Sequence, residues 1–100
     1  MGKEAELEKR LGEYARRRGC LYYKFSSPGN RGVPDRQVIA PNGRILFLEL
    51  KAPGNKPTAL QQREIRRLRE HSQNANWTDS LDHGKALIDG LVGAPPINEV

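Results

Sequence analysis

The chain has 100 residues, 29% of them charged, and a net charge of +5. That length holds one domain with a modest core and little room for a second site, and the positive balance suits an anionic partner, most simply nucleic acid. Cys20 is the only cysteine, which excludes an intrachain disulfide and a cysteine-built zinc site, and no apolar run is long enough for a membrane span or a signal peptide.

The first periodic stretch predicts a helix from about Lys3 to Arg18. Leu7, Leu11, Tyr14 and Ala15 recur at helical spacing and form its inward stripe. At about 100° per residue, Glu4 falls in line with Leu7 and Leu11. It should point inward from the first turn, where it is either favoured by the helix N-terminus or serves as a ligand for a cation. Glu8 lies at the other margin of the stripe. Lys9, Arg10, Arg16, Arg17 and Arg18 mostly decorate the outer face, and Gly19 ends the helix.

Cys20 to Phe25 reads as a strand, with Lys24 opposite in phase to Leu21, Tyr23 and Phe25. Lys24 either reaches the site or a phosphate or is a solvated edge lysine. The run Ser26-Ser27-Pro28-Gly29-Asn30-Arg31-Gly32 is either a phosphate-contacting loop or an ordinary connection rich in turn residues. Val33 to Ala40 and Arg44 to Lys51 are β-rich and flank Ala40-Pro41-Asn42-Gly43, the composition of a type I hairpin turn with a glycine bulge. In that hairpin Leu46, Leu48 and Leu50 share one face, and Ile45, Phe47, Glu49 and Lys51 share the other.

The hairpin carries the chemistry. Asp35 at the start of one strand lies beside Glu49 at the end of its partner, with Lys51 next to them. Two carboxylates at one point are costly unless a cation neutralises them. Oxygen ligands without thiolate or histidine suit a hard divalent ion, most naturally Mg²⁺ with Mn²⁺ as a substitute. Such an ion keeps several waters, one of which can attack a phosphodiester, and Lys51 can orient that water or stabilise charge on the phosphate. The plain alternative is a hairpin with a surface Glu-Lys pair.

Ala52 to Pro57 is a loop. Thr58-Ala59-Leu60-Gln61 has the capping-box pattern and opens a helix to about His71, with Gln61, Ile65 and Leu68 on one line. Gln61 is either only the capping partner or also reaches the metal waters. Arg63, Arg66, Arg67 and Arg69 give this helix a basic outer side. Lys24, Arg31, Arg36, Arg63, Arg66 and Arg67 are the candidate DNA contacts. Asn74 to Asp79 reads as a short polar strand in which Trp77 is a core residue rather than a base-stacking platform. Leu81 to Val92 is a last helix, with Leu81, Ile88 and Val92 inward and Ser80 or Asp79 capping it. His71 and His83 are isolated and read as non-ligands. Residues 94–100, with two prolines, read as a flexible tail to a domain spanning 1–93.

The order α-β-β-β-α-β-α predicts an α/β fold, a central mixed sheet flanked by helices. Here the residues resemble a known family. Lys24 to Arg36 (K-F-S-S-P-G-N-R-G-V-P-D-R), Phe47 to Gly54 (F-L-E-L-K-A-P-G) and Leu60-Gln61 look like the stand-alone virus-type replication-repair nucleases, the VRR-NUC family of the PD-(D/E)xK superfamily. The resemblance runs from about Glu4 to Leu91. It implies Asp35 and Glu49 as metal ligands, the backbone carbonyl of Leu50 as a further one, and Lys51 as the catalytic lysine. Glu4 and Gln61 match the family's first-helix glutamate and later glutamine.

The resemblance also implies a homodimer resolving four-way (Holliday) junctions, a cytoplasmic setting (the host's, if phage-encoded) and no small-molecule cofactor. Ser72 departs from the glycine usual there, and Asn74 to Thr78 is more polar than the usual strand. Two other classes stay open: a DNA-structure-binding module that does not cut, and a nuclease acting on flaps, linear duplex or restriction-type targets.

Overall fold

The computed structural model describes residues 2–93, so the expected tail at 94–100 lies outside the described residues. The elements are α1 (Lys3–Arg17), β1 (Leu21–Lys24), β2 (Arg36–Ile39), β3 (Ile45–Leu50), α2 (Ala59–Glu70), β4 (Asn74–Thr78) and α3 (Leu81–Val92). The predicted order holds. β1 and β2 are shorter than their apolar runs, and Asp35 falls just before β2 rather than inside it. No described helix is long and apolar enough to cross a membrane.

The four strands lie in the order β1-β2-β3-β4. β1, β2 and β3 are antiparallel neighbours, and β4 runs parallel to β3 after the crossover through α2. The hairpin turn sets the β2–β3 register. Gly43 donates its N–H to the Ala40 carbonyl and has φ +87°, the left-handed conformation that a glycine bulge requires. Val38, Leu46, Leu48 and Leu50 face α1 and α3, where they join Leu7, Leu11, Tyr14, Ala15, Ile88 and Leu91 in one core.

The helices flank the sheet unevenly. α1 and α3 cover one face together, whereas α2 lies mainly against β4 on the other side. For that reason Ile65 is buried but Leu68 is only half-buried. On the open part of that face Leu21 and Tyr23 are 50% and 51% exposed. In α3 the inward positions are Ile88 and Leu91, with Leu81 and Val92 at the margin of the core. Ser80 caps this helix, accepting the His83 N–H, and Asp79 instead accepts the N–H of Gly54 in the loop after β3. β4 is polar because it is an edge strand: the Asn74 amide bonds the Ile45 carbonyl, and the Asn76 side chain accepts the Trp77 N–H.

α2 closes with a paired motif in which Gln73 N–H reaches the Leu68 carbonyl and Ser72 N–H the Arg69 carbonyl. The motif needs a left-handed residue at position 72, and Ser72 takes it with φ 63°. It is the one non-glycine residue with positive φ among those described. A side chain in that conformation costs about 1–2 kcal/mol, partly offset by the greater chain entropy a glycine would lose. Ser72→Gly should therefore raise stability by roughly 0.5–1 kcal/mol, read as a higher urea midpoint with unchanged slope. A lower midpoint would show that the Ser72 side chain has a stabilising role.

Candidate active site

Asp35 is delivered to the sheet by Pro34, which is fully buried, and by a backbone bond in which Phe25 N–H donates to the Asp35 carbonyl at 2.7 Å. Glu49 is the penultimate residue of β3, a central strand, and is 7% exposed. Arg36 pairs with Leu48, so one step further along the antiparallel ladder Asp35 neighbours Glu49. The backbone N–H of Asp35 supports both carboxylates. The Lys51 ammonium stands 3.9 Å from Glu49, and its backbone N–H donates to the Thr78 carbonyl of β4 at 3.0 Å.

The electrostatics follow from this packing. Burial, then the Asp35 charge, pushes the Glu49 carboxyl up to about 7 against the pull of Lys51. Burial likewise raises Asp35, with Lys24 the strongest charge opposing the rise. Glu4 is exposed in the first turn of α1, yet its charge raises both carboxyls. It belongs to the acidic centre without completing a cluster: no three His, Cys, Asp or Glu side chains among the described residues are grouped to hold a metal ion. Asp35 and Glu49 are the pair that could, with water and main-chain oxygen, such as the Leu50 carbonyl at the strand end, filling the remaining positions.

The other expected residues divide. Gln61 forms the full capping box with Thr58: its side-chain oxygen accepts the Thr58 N–H at 2.9 Å, and its own N–H goes to the Thr58 hydroxyl. Arg31, Arg63 and Arg66 are exposed. Arg67 is exposed and paired with Glu64 at 3.0 Å. Arg36 does not sit on a DNA-facing surface. It is 9% exposed, paired with Glu8 of α1, and its guanidinium lies 5.6 Å from the Tyr22 ring centre. Strand alternation explains this, since Arg36 shares the helix-covered face with Val38.

His71 and His83 are held by the Arg67 carbonyl and the Thr78 hydroxyl. Trp77 is outside the core; it is half-buried beside Glu49, its register partner.

No family model matches the chain. A phage protein described as "Putative nuclease p44", from Acyrthosiphon pisum secondary endosymbiont phage 1, is 56% identical over 85 residues, 85% of this chain and 91% of that protein. A solved structure described as "VRR_NUC domain" superposes with a TM-score of 0.82 at 34% identity, covering 89% of this chain and 97% of its own. A second, "VRR_NUC domain protein", has a TM-score of 0.75 at 19% identity over 91% of this chain and 88% of its own, a likeness of fold.

The raised Glu49 carboxyl makes stability depend on pH in a defined direction. In metal-free protein Glu49 holds its proton up to about pH 7, whereas its unfolded value is 4.5. Between these values the folded state binds more protons than the unfolded one, so stability should fall as pH rises through the window. Urea denaturation in EDTA across that range should show the decline, and Glu49→Gln should flatten it. A wild-type profile as flat as the variant's would contradict the buried-pair electrostatics.

Proposed function

The chain belongs to the VRR-NUC nuclease family, and from that premise we propose that it is a Mg²⁺-dependent DNA endonuclease resolving four-way junctions as a homodimer. The observation that carries the reading is a pair of carboxylates, Glu49 buried and Asp35 half-buried, drawn together on one sheet face with the Lys51 ammonium beside them. The donor set fits a hard divalent ion: carboxylate and carbonyl oxygen, with neither thiolate nor imidazole in the group. Asp35, Glu49 and the Leu50 carbonyl would hold it. When bound, such an ion supplies Lewis acidity toward a phosphate oxygen and lowers the pKa of water.

The chain's own residues do the rest. Lys51, fixed at its backbone by β4, stabilises the charge that develops on the phosphate. Glu4 adds a carboxylate from α1 that can accept a hydrogen bond from water at the acidic centre. Gln61, held by its capping bonds, stands at the mouth of α2 and orients that water with its remaining amide group. Lys24, whose charge acts on Asp35, holds the neighbouring phosphate of the strand being cut.

Substrate form follows from size and charge. One small domain carries one such site, and one site cuts one strand. Two copies about a two-fold axis match a junction that is itself two-fold symmetric. The net charge of +5 and the exposed arginines of α2 suit phosphate contacts, which recognise shape more than sequence.

Asp35→Asn and Glu49→Gln should abolish Mg²⁺-dependent cleavage of labelled junctions while the urea transition stays cooperative. Lys51→Ala should lose about 10²–10³ in single-turnover rate. Cleavage by either carboxylate variant at the wild-type rate would remove the site. The assembly is tested by light scattering at several concentrations together with junction cleavage, where a dimer mass and paired cuts are expected. A strict monomer that nicks linear duplex as readily as junctions would overturn the junction-resolving half alone.

A further inference from the structure

Asp35 and Glu49 are the middle of a row that crosses the whole sheet. Phe25, the residue just past β1, donates its N–H to the Asp35 carbonyl, Asp35 neighbours Glu49, and Glu49 pairs with Trp77 on β4. Strand alternation puts these four side chains on one face. Beyond the acidic pair on the α2 side, therefore, comes an indole. Trp77 is half-buried and opens into a groove of about 430 Å³ between β4 and α2. Lys56, Arg66 and Arg69 line that groove together with Ile65, and among the described residues no carboxylate does. Arg69 is held through its Nε by the Ala75 carbonyl at 2.8 Å, which fixes its guanidinium at the groove.

Three cations around an aromatic ring, continuous with a phosphodiesterase site, are the makings of a single-strand track. Phosphates meet the cations and a base meets the ring, without sequence readout. A base can stack on an indole only when it has left its own duplex stack. We propose that the Trp77 groove is a second nucleic-acid subsite, which takes an unpaired stretch of DNA strand adjoining the scissile phosphate. One base stacks on Trp77, and the flanking phosphates lie on Lys56, Arg66 and Arg69. This rests on the nuclease reading of the acidic centre and gives selectivity for branched DNA a physical source: strands diverge at a branch and can enter the groove, whereas an intact duplex cannot.

Trp77 is the only tryptophan of the chain, so its emission reports on the groove directly. The full chain carrying Asp35→Asn, in EDTA, would be titrated with a dye-labelled duplex bearing a short single-stranded overhang, and with the blunt version. Dye anisotropy gives binding and indole emission gives stacking. The overhang should quench Trp77 at saturation, and the blunt duplex much less. Lys56→Ala with Arg66→Ala, both exposed positions, should raise the Kd for the overhang about tenfold and lower its salt slope by about two.

Trp77→Phe should keep most of the affinity that Trp77→Leu loses. Should the leucine variant fail to fold, the paired surface variant decides. Unchanged emission with bound overhang, equal quenching by blunt duplex, or an overhang Kd indifferent to the paired substitution would each overturn the subsite. If wild-type protein still cuts DNA with Mg²⁺ in those cases, the active-site reading stands. If no DNA is bound or cut at all, both fall.

Discussion

Two carboxylates held at one place on a sheet, mostly out of water, set the terms for the rest of this molecule. Burial raises both carboxyls, the Asp35 charge raises Glu49 further, and the Lys51 ammonium 3.9 Å from Glu49 does not restore the balance. A fold gains nothing in stability from such a pair, because desolvating like charges is costly. The arrangement makes sense as a site whose missing charge arrives with its ligands. The surrounding structure can be read as what keeps Asp35 and Glu49 from moving apart. Pro34 is buried behind Asp35, the bulged turn locks the β2–β3 register, and β4 holds the Lys51 backbone in place. On the opposite face of the sheet, the Arg36–Glu8 ion pair fastens β2 to α1 one turn beyond Glu4. The buried guanidinium thus ties the strand that follows Asp35 to the helix that carries Glu4.

Much of this was legible in the residues, for a physical reason. A hairpin turn is local, and its composition dictates its register. Once Ala40 to Gly43 is read as a bulged turn, Asp35 must meet Glu49. The inward stripe of α1 and the Thr58–Gln61 capping box were equally local and equally readable. What escaped was non-local. β4 joins β3 through a helical crossover, and no turn rule fixes a parallel register. Nothing in the sequence therefore said that Trp77 would stand beside Glu49, and an aromatic ring in a short strand reads as core. Leu68, Leu81 and Val92 are less buried than their helical phase suggests, because phase does not reveal how much of a helix a neighbour covers.

Arg36 is different, since its position could have been read. If Asp35 is on the active face, the next residue is on the other, with Val38 and under α1. Its charge alone suggests a phosphate contact, and alternation overrides charge. Ser72 is the converse case: a residue type that disagreed with its expected backbone stands in that backbone regardless, with φ 63°. The capping bonds of α2 over-determine the position and hold the serine there.

The central claim is that Asp35 and Glu49 form one cation site, and it can be tested without DNA or turnover. Calorimetric titration of Mn²⁺ or Mg²⁺ into metal-free protein, repeated in buffers of different ionisation enthalpy below about pH 7, counts the protons released on binding. The account predicts a single class of site, proton release as Glu49 gives up its proton, and loss of binding in Asp35→Asn. Ion binding with no proton release, or binding unchanged in the variant, would contradict it.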